Sequence, residues 1–174
     1  MKYIFIIMLT SLVSSCHSQD GPSNAERVQR SATITLDGTV GKVFPLFGII
    51  REKEWDHDWD PTPVYPNSGD MAEGAIYRTP GHVHGDSPLT WVVSRFDILD
   101  NHLTYLVFGG NRVVSIDIRC SPLPDNRTTA TITYTMTGLD AQGNQIIHHH
   151  IASVFQHNLQ NWEALINKAL DRSN

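Results

Sequence analysis

RTTATITYTMTGLDAQGNQIIHHHIASVFQHNLQNWEALINKALD, Arg127–Asp171, carries two periodicities back to back. From Arg127 to Leu139, Ala130, Ile132, Tyr134 and Met136 alternate with Thr129, Thr131, Thr133 and Thr135. A period of two puts the first set on one face of a strand and the threonines on the other. Asp140–Asn144 (DAQGN) reads as a turn. From about His148 to Asp171 the period becomes helical. Ile151, Phe155, Asn158, Trp162, Leu165 and Ala169 form a stripe, and Val154, Leu159, Ile166 and Leu170 widen it. This predicts an amphipathic helix of about six turns.

Working back from that pair, strands dominate. Arg112–Cys120 (RVVSIDIRC), Leu103–Phe108, Leu89–Leu99 and Gly74–Thr79 all read as strands. Gly109-Gly110-Asn111 is a hairpin signal, and Asn101-His102 fits another turn. Ser121–Asn126 (SPLPDN) excludes a central strand because proline cannot donate to a ladder. Ser31–Asp37 (SATITLD) alternates as an opening strand. Val43, Phe44, Leu46 and Phe47 follow at helical spacing around Pro45. Arg51–Pro66 (REKEWDHDWDPTPVYP) reads as a short helix running into a loop. Strands grouped before one long helix predict an α+β fold: a curved antiparallel sheet of about six strands with that helix as its cover.

The first nineteen residues, MKYIFIIMLTSLVSSCHSQ, belong to another kind of signal. Lys2 is a positive start and Tyr3–Leu9 an apolar run far short of the ~20 residues of a spanning helix. Val13-Ser14-Ser15-Cys16 resembles the bacterial lipobox, in which small residues enter the peptidase and the cysteine thiol takes the lipid. The expected division is therefore residues 1–15 as leader, 16–30 as lipidated Cys16 and polar tether, and 31–174 as one domain. Acyl chains contribute ~0.8 kcal/mol per buried CH₂, so Cys16 would anchor the chain to a membrane. His17 rather than Asp after the cysteine resembles an outer-membrane address in enteric-type sorting.

Composition narrows the partners. With 13 Lys+Arg against 18 Asp+Glu the formal charge is −5, and no basic cluster offers the positive footprint that nucleic acid requires. Two cysteines, one of them Cys16, leave Cys120 without an internal disulfide partner, so the core must hold the fold. The sequence contains no GxSxG, phosphate loop, CxxC or nucleophile with an identified base, and no cofactor motif.

Beyond these patterns, the chain resembles the SRPBCC superfamily, the START-like or helix-grip domains. The likeness runs from about Ser31 to Leu170. It rests on the element order, Val43-Phe44-Pro45-Leu46-Phe47, the Glu54-Trp55/Trp59-Asp60-Pro61 block, Gly74–Thr79, Thr90–Val93, Ala130–Gly138 and Trp162. The resemblance implies a sheet wrapped round the last helix with a cavity between them. It does not imply one reaction, since that superfamily holds lipid and sterol carriers, aromatic cyclases and proteins of unknown role.

Within that frame Trp55, Trp59, Tyr77, Trp91, Arg95, Tyr134, Phe155 and Asn158 are the candidate cavity residues. Trp55 and Trp59, four apart, either roof a cavity mouth or pin an irregular loop to the sheet. Arg95, on the face of Trp91 and Val93, has an acidic ligand group or Asp97 as its candidate partner. Asn158 and Tyr134 fall among apolar neighbours and need a sheet partner, water or a ligand. His82 and His84 point the same way on an extended segment and would need His57 or Asp86 to complete a metal site; a solvated loop is the plainer reading, and no metal is assigned. His148, His149 and His150 fan round a helix and cannot converge on one ion. The expected function is binding of a small hydrophobic or amphipathic ligand. A cyclase- or hydratase-type enzyme and an interaction module with a filled core are the alternatives.

Overall fold

The computed structural model describes residues 24–81 and 88–172. The leader, Cys16, His82, His84 and Asp86 lie outside the described residues. Seven strands make one antiparallel sheet: β1 Arg27–Leu36, β2 Thr62–Tyr65, β3 Ile76–Thr79, β4 Leu89–Asp97, β5 His102–Gly109, β6 Arg112–Leu123 and β7 Arg127–Gly138, in spatial order β1-β7-β6-β5-β4-β3-β2. Between β1 and β2 run α1 (Val40–Val43) and two 3-10 turns, Phe44–Phe47 and Arg51–Glu54. The closing rod is α2 (Ala141–His149), a π turn (His150–Val154) and α3 (Phe155–Asp171). This is the helix-grip arrangement: a curved antiparallel sheet and a long C-terminal helix.

The inner face of the sheet follows the alternation. Ala130, Ile132 and Met136 of β7 are buried, as are Val114, Ile116 and Ile118 of β6 and Leu103, Tyr105 and Val107 of β5. Opposed to them are Phe47, Ile49, Ile147, Leu159, Ile166 and Leu170 from the covering elements. The two-residue turn Gly110-Asn111 joins β5 to β6, with Gly109 paired to Arg112. Cys120 is buried in this core, and burial pushes its thiol up to about 12, so it packs as an unreactive apolar group.

Ser121–Asn126 is not a central strand, as expected: β6 extends to Leu123, but beyond Arg119 β5 no longer flanks it, and Pro122 pairs with Thr128 of β7 alone, on a local edge. Arg51–Glu54 is likewise a short 3-10 turn running into a loop. Two expectations need correction. Thr62–Tyr65 is a seventh strand despite Pro63; it pairs only with β3 and is the sheet's other edge. The closing rod begins at Ala141, not near His148. Asp140 Oδ1 accepts from Gly143 N at 2.7 Å, so the predicted turn is a capped helix start.

Two glycines let that helix start sit against the strand ends. A Cβ on Gly143 would collide with the carbonyl oxygen of Asn111, and one on Gly138 with Asn144. Gly41 of α1, by contrast, has nothing within 4 Å of where its Cβ would lie. Alanine is normally better than glycine in a helix by ~1 kcal/mol. Gly41→Ala is therefore expected to be neutral or stabilising, whereas Gly143→Ala loses ~1–3 kcal/mol through overpacking. Urea denaturation of the two variants checks this; equal effects at both positions would contradict the close approach.

Candidate functional site

Ile49, Glu52 and Trp55 are spaced by three. Glu52 lies in the 3-10 turn Arg51–Glu54 and the other two flank it; all three are buried while Arg51, Lys53 and Glu54 are exposed. Trp55 Nε1 donates to Leu46 O at 2.8 Å and Trp59 Nε1 to Ile49 O at 2.7 Å, which ties the irregular segment down. The two tryptophans therefore pin the loop. Trp55 also meets Trp162 of α3 edge-on at 5.7 Å, joining that loop to the helix.

Glu52 is the consequence. It is 7% exposed, although among the described residues the buried side-chain polar atom left without a hydrogen-bond partner is His102 Nδ1, not a Glu52 oxygen. Arg51 pairs with Glu54 and Lys53 with Asp60, both outside the core. Burial first, and then the charge of Asp56, push the Glu52 carboxyl well above the usual carboxylate range. The sequence reading passed over this residue. The signal was present in the spacing Ile49-Glu52-Trp55, hidden inside a run that looked uniformly charged.

Two phenols share the interior with it. Register puts Tyr105 of β5 and Tyr134 of β7 opposite Ile116 of β6, in one transverse row of the inner face. With strands about 4.8 Å apart the two tyrosines lie two strand spacings from each other. Burial first, and then the charge of Glu52, raise both hydroxyls above the usual phenol range. The Tyr105 hydroxyl donates to Phe47 O at 2.9 Å and is committed. Tyr134 is half-buried, and no described residue hydrogen-bonds its hydroxyl.

The π turn organises the helix above Tyr134. Phe155 N–H bonds His150 O, five residues back. In a regular α-helix residues five apart point ~140° from each other, whereas the wider turn brings them toward one side. His150 stacks on Tyr134 at 5.7 Å and 20°, and Phe155 meets the same ring edge-on at 5.4 Å. Burial first, then Arg112 and His149, lower the His150 imidazole, so it faces Tyr134 as a neutral ring. His148 is exposed and pairs with Glu26 at 2.5 Å.

The other candidates separate. Trp91 is buried, donates to Thr79 Oγ1 at 3.0 Å, and stands edge-on to Trp59 at 5.3 Å and Tyr105 at 5.7 Å. Tyr77 is buried and its hydroxyl donates to Gly69 O and Asp70 O. Asn158 is half-buried on the flank of the helix stripe, whose buried line is Phe155, Leu159, Ile166 and Leu170. Arg95 does not share the face of Trp91 and Val93. A bulge at Ser94 sets Ser94 and Arg95 against Thr104, turns Arg95 outward onto Asp97 at 3.2 Å, and turns Phe96 inward onto Phe44. His57 is exposed.

Packing fills much of the space between the layers. Shallow, half-open clefts of about 420 and 480 Å³ lie near α1 and the end of α3, lined by residues that include Lys42, Arg51, Glu54, Arg127 and Leu170. Neither is lined by Glu52 or Tyr134.

No protein-family model and no curated protein sequence matches the chain. Solved structures do. The Zhui aromatase/cyclase from Streptomyces sp. R1128 is 14% identical with a TM-score of 0.64, covering 86% of this chain and 97% of its own. Norcoclaurine synthase from Thalictrum flavum, in complex with dopamine and hydroxybenzaldehyde, is 8% identical with a TM-score of 0.61, covering 99% of both chains. Ara h 8.0201 is 13% identical with a TM-score of 0.60, covering 84% of this chain and 99% of its own. At these identities the likeness establishes the fold.

The buried acid has a measurable consequence. A carboxyl whose pKa rises on folding leaves stability intact at low pH and removes it as pH climbs from the unfolded value near 4.5 through the folded one. Glu52→Gln lacks this loss. Its stability relative to the parent should therefore grow by about 1.4 kcal/mol per pH unit across that window, read from denaturant midpoints between pH 4 and 8. A difference independent of pH would place the Glu52 carboxyl in contact with solvent.

Proposed function

We propose that the chain is a lipid-anchored envelope protein that binds a small hydrophobic or amphipathic molecule between the sheet and the C-terminal helix. The observation that carries the binding half is the Glu52 side chain, an acid buried in the segment that Trp55 and Trp59 pin beneath the helix. Burying a carboxyl costs more than burying an apolar side chain of its size. Few polar groups converging in an apolar interior are the usual makeup of a ligand site. The anchoring half rests on Val13-Ser14-Ser15-Cys16 and the leader before it.

Packing favours a second reading. With Tyr77, Tyr105, Phe47, Ile147 and Leu159 fully buried and the clefts at the far end, the interior is largely occupied by the protein's own side chains. On that reading the domain is an interaction module with a filled core. A ligand, on the first reading, enters by displacing the π turn and the half-buried residues around it: His150, Ile151, Asn158 and Trp162.

Native mass spectrometry of the untagged protein with extracted envelope lipids separates the two. Carriage predicts a reproducible added mass, and a melting temperature that rises with ligand, since saturation at a hundred times Kd contributes ~2.7 kcal/mol. A bare protein mass at every lipid load, with an unmoved melting temperature, sinks carriage and leaves the filled-core module. For the anchor, Cys16→Ser should abolish incorporation of labelled palmitate and shift the protein out of the membrane fraction. Unchanged labelling in that variant would remove Cys16 as the acceptor.

A further inference from the structure

We propose that the outer face of the sheet, at the end where the chain enters it, lies against an anionic lipid surface. This rests on the anchor half of the reading above and adds how the anchored domain is oriented.

Register defines the patch. Antiparallel partners share a face, so Arg78, Thr90, Phe108, Val113, Thr137 and Arg27 form one unbroken row from β3 to β1. The next row on that face holds Ile76, Val92 and Leu106 side by side. Tyr65 of β2 pairs with Ile76 and is 65% exposed; Phe108 is 43% exposed. None of Ile76, Val92, Leu106, Phe108 and Val113 belongs to the core or packs against it. They alternate with the core residues Tyr77, Trp91, Val107 and Val114, so they make a second apolar surface on the opposite side of the sheet.

The uncovered face of an antiparallel sheet is ordinarily polar. The rest of this face obeys that rule. Thr33 bonds Thr131 and Thr133 donates to Ser31 across β1 and β7, and His102, Thr104 and Arg119 surround Asp117 at the far end. The apolar corner is the exception. Single exposed apolar side chains carry no meaning, but contiguous ones mark a protein or membrane contact.

Position and charge select the membrane. Arg27 opens β1 and ends the row that contains Phe108, three strand spacings or about 14 Å away. Asn24 is eight residues from Cys16, and that length of chain spans at most about 29 Å. An acyl group on Cys16 therefore keeps the start of the described chain within that reach of the bilayer, while Leu36, at the other end of β1, stands about 30 Å farther along the strand. Arg78 and Arg27 are exposed at the two ends of the Phe108 row, where lipid phosphates supply the opposite charge. Glu26 and Asp140, acids at this end, are engaged by His148 and by the cap of α2. Apolar area and cationic attraction to anionic headgroups add in interfacial binding.

The test places a nitroxide spin label on Thr90→Cys, in the Phe108 row, or on Ser121→Cys, on the same face at the far end. The protein is purified from membranes and reconstituted in vesicles of phosphatidylglycerol and phosphatidylethanolamine. Cys120 is buried, and an acylated Cys16 takes no label. At position 90 oxygen should relax the label more effectively than a water-soluble nickel chelate, and at position 121 the order should reverse. Phe108→Ser with Arg78→Gln should abolish the oxygen preference at 90 and leave position 121 unchanged; both replaced side chains are exposed, so the fold is kept. Retention of the preference in that double variant overturns the assignment of the patch. Chelate dominance at both positions overturns the docking and leaves the anchor in place. Exclusion of both reagents from position 90 marks a protein contact and overturns the lipid assignment. Uptake of label by Cys16 in the chain without an added cysteine overturns the anchor and the docking with it.

Discussion

A bent antiparallel sheet has two liabilities, an apolar face and an open edge, and in this chain one helix answers both. Leu159, Ile166 and Leu170 of α3 are buried toward the sheet. The same helix reaches the free edge of β1 with side chains: Thr35 N donates to Glu163 Oε1 at 2.9 Å, Asp37 N to Asn167 Oδ1 at 2.8 Å, and Asn167 Nδ2 to Thr35 O at 3.2 Å. Backbone groups that would otherwise template another strand are satisfied within the chain. The helix is thus fixed in both rotation and height. Trp162 meets Trp55, and His150 and Phe155 meet Tyr134, only because α3 is held at that level. Every feature of the inner site inherits its position from those edge bonds.

Much of this architecture was legible because a single period governed each stretch. The threonine alternation of Arg127–Leu139 is β7, the Gly110-Asn111 turn is where its signal stood, and the apolar stripe beyond Phe155 is α3. The departures occur where one residue changes the period. Ser94 inserts a bulge, and every side chain after it exchanges faces, which moves Arg95 out and Phe96 in. The π turn inserts a residue's worth of rotation into the closing rod, so a stripe drawn at 3.6 residues per turn slides off its own face; Asn158 falls to the flank for that reason. Asp140 looked like a turn residue because Asp caps helices and initiates turns by the same side-chain-to-backbone bond. Pro63 sits in a strand where the sequence reads as loop, because a proline is tolerated at a sheet edge.

Glu52 was overlooked for a related reason. Charge in REKEW reads as a solvated segment when averaged, and the turn is too short for helical periodicity to show which member is buried. The two tryptophans settle it. By donating to Leu46 O and Ile49 O they hold the segment so that position 52 must face inward. The pins and the acid are therefore one device: residues chosen as ligand contacts act as fasteners, and what they fasten is a carboxyl.

Packing and polarity pull in opposite directions at this site, and their comparison is informative. A core evolved for stability alone would place an aliphatic residue at position 52, because methylenes there contribute ~0.8 kcal/mol each and a buried carboxyl carries a desolvation cost. The neighbouring positions follow this logic: Phe47, Ile49, Ile116 and Trp55 are apolar, and Tyr105 is satisfied by Phe47 O. Glu52 departs from that logic, and so does the π turn, whose His150 and Phe155 both meet the Tyr134 ring. Local rules fail where function has displaced stability. Dense packing around the two is compatible with that, since π turns and half-buried rings can be shifted at lower cost than strand pairs. The buried acid and the π turn are thus the two places in the core where packing alone does not account for the residue or the geometry present.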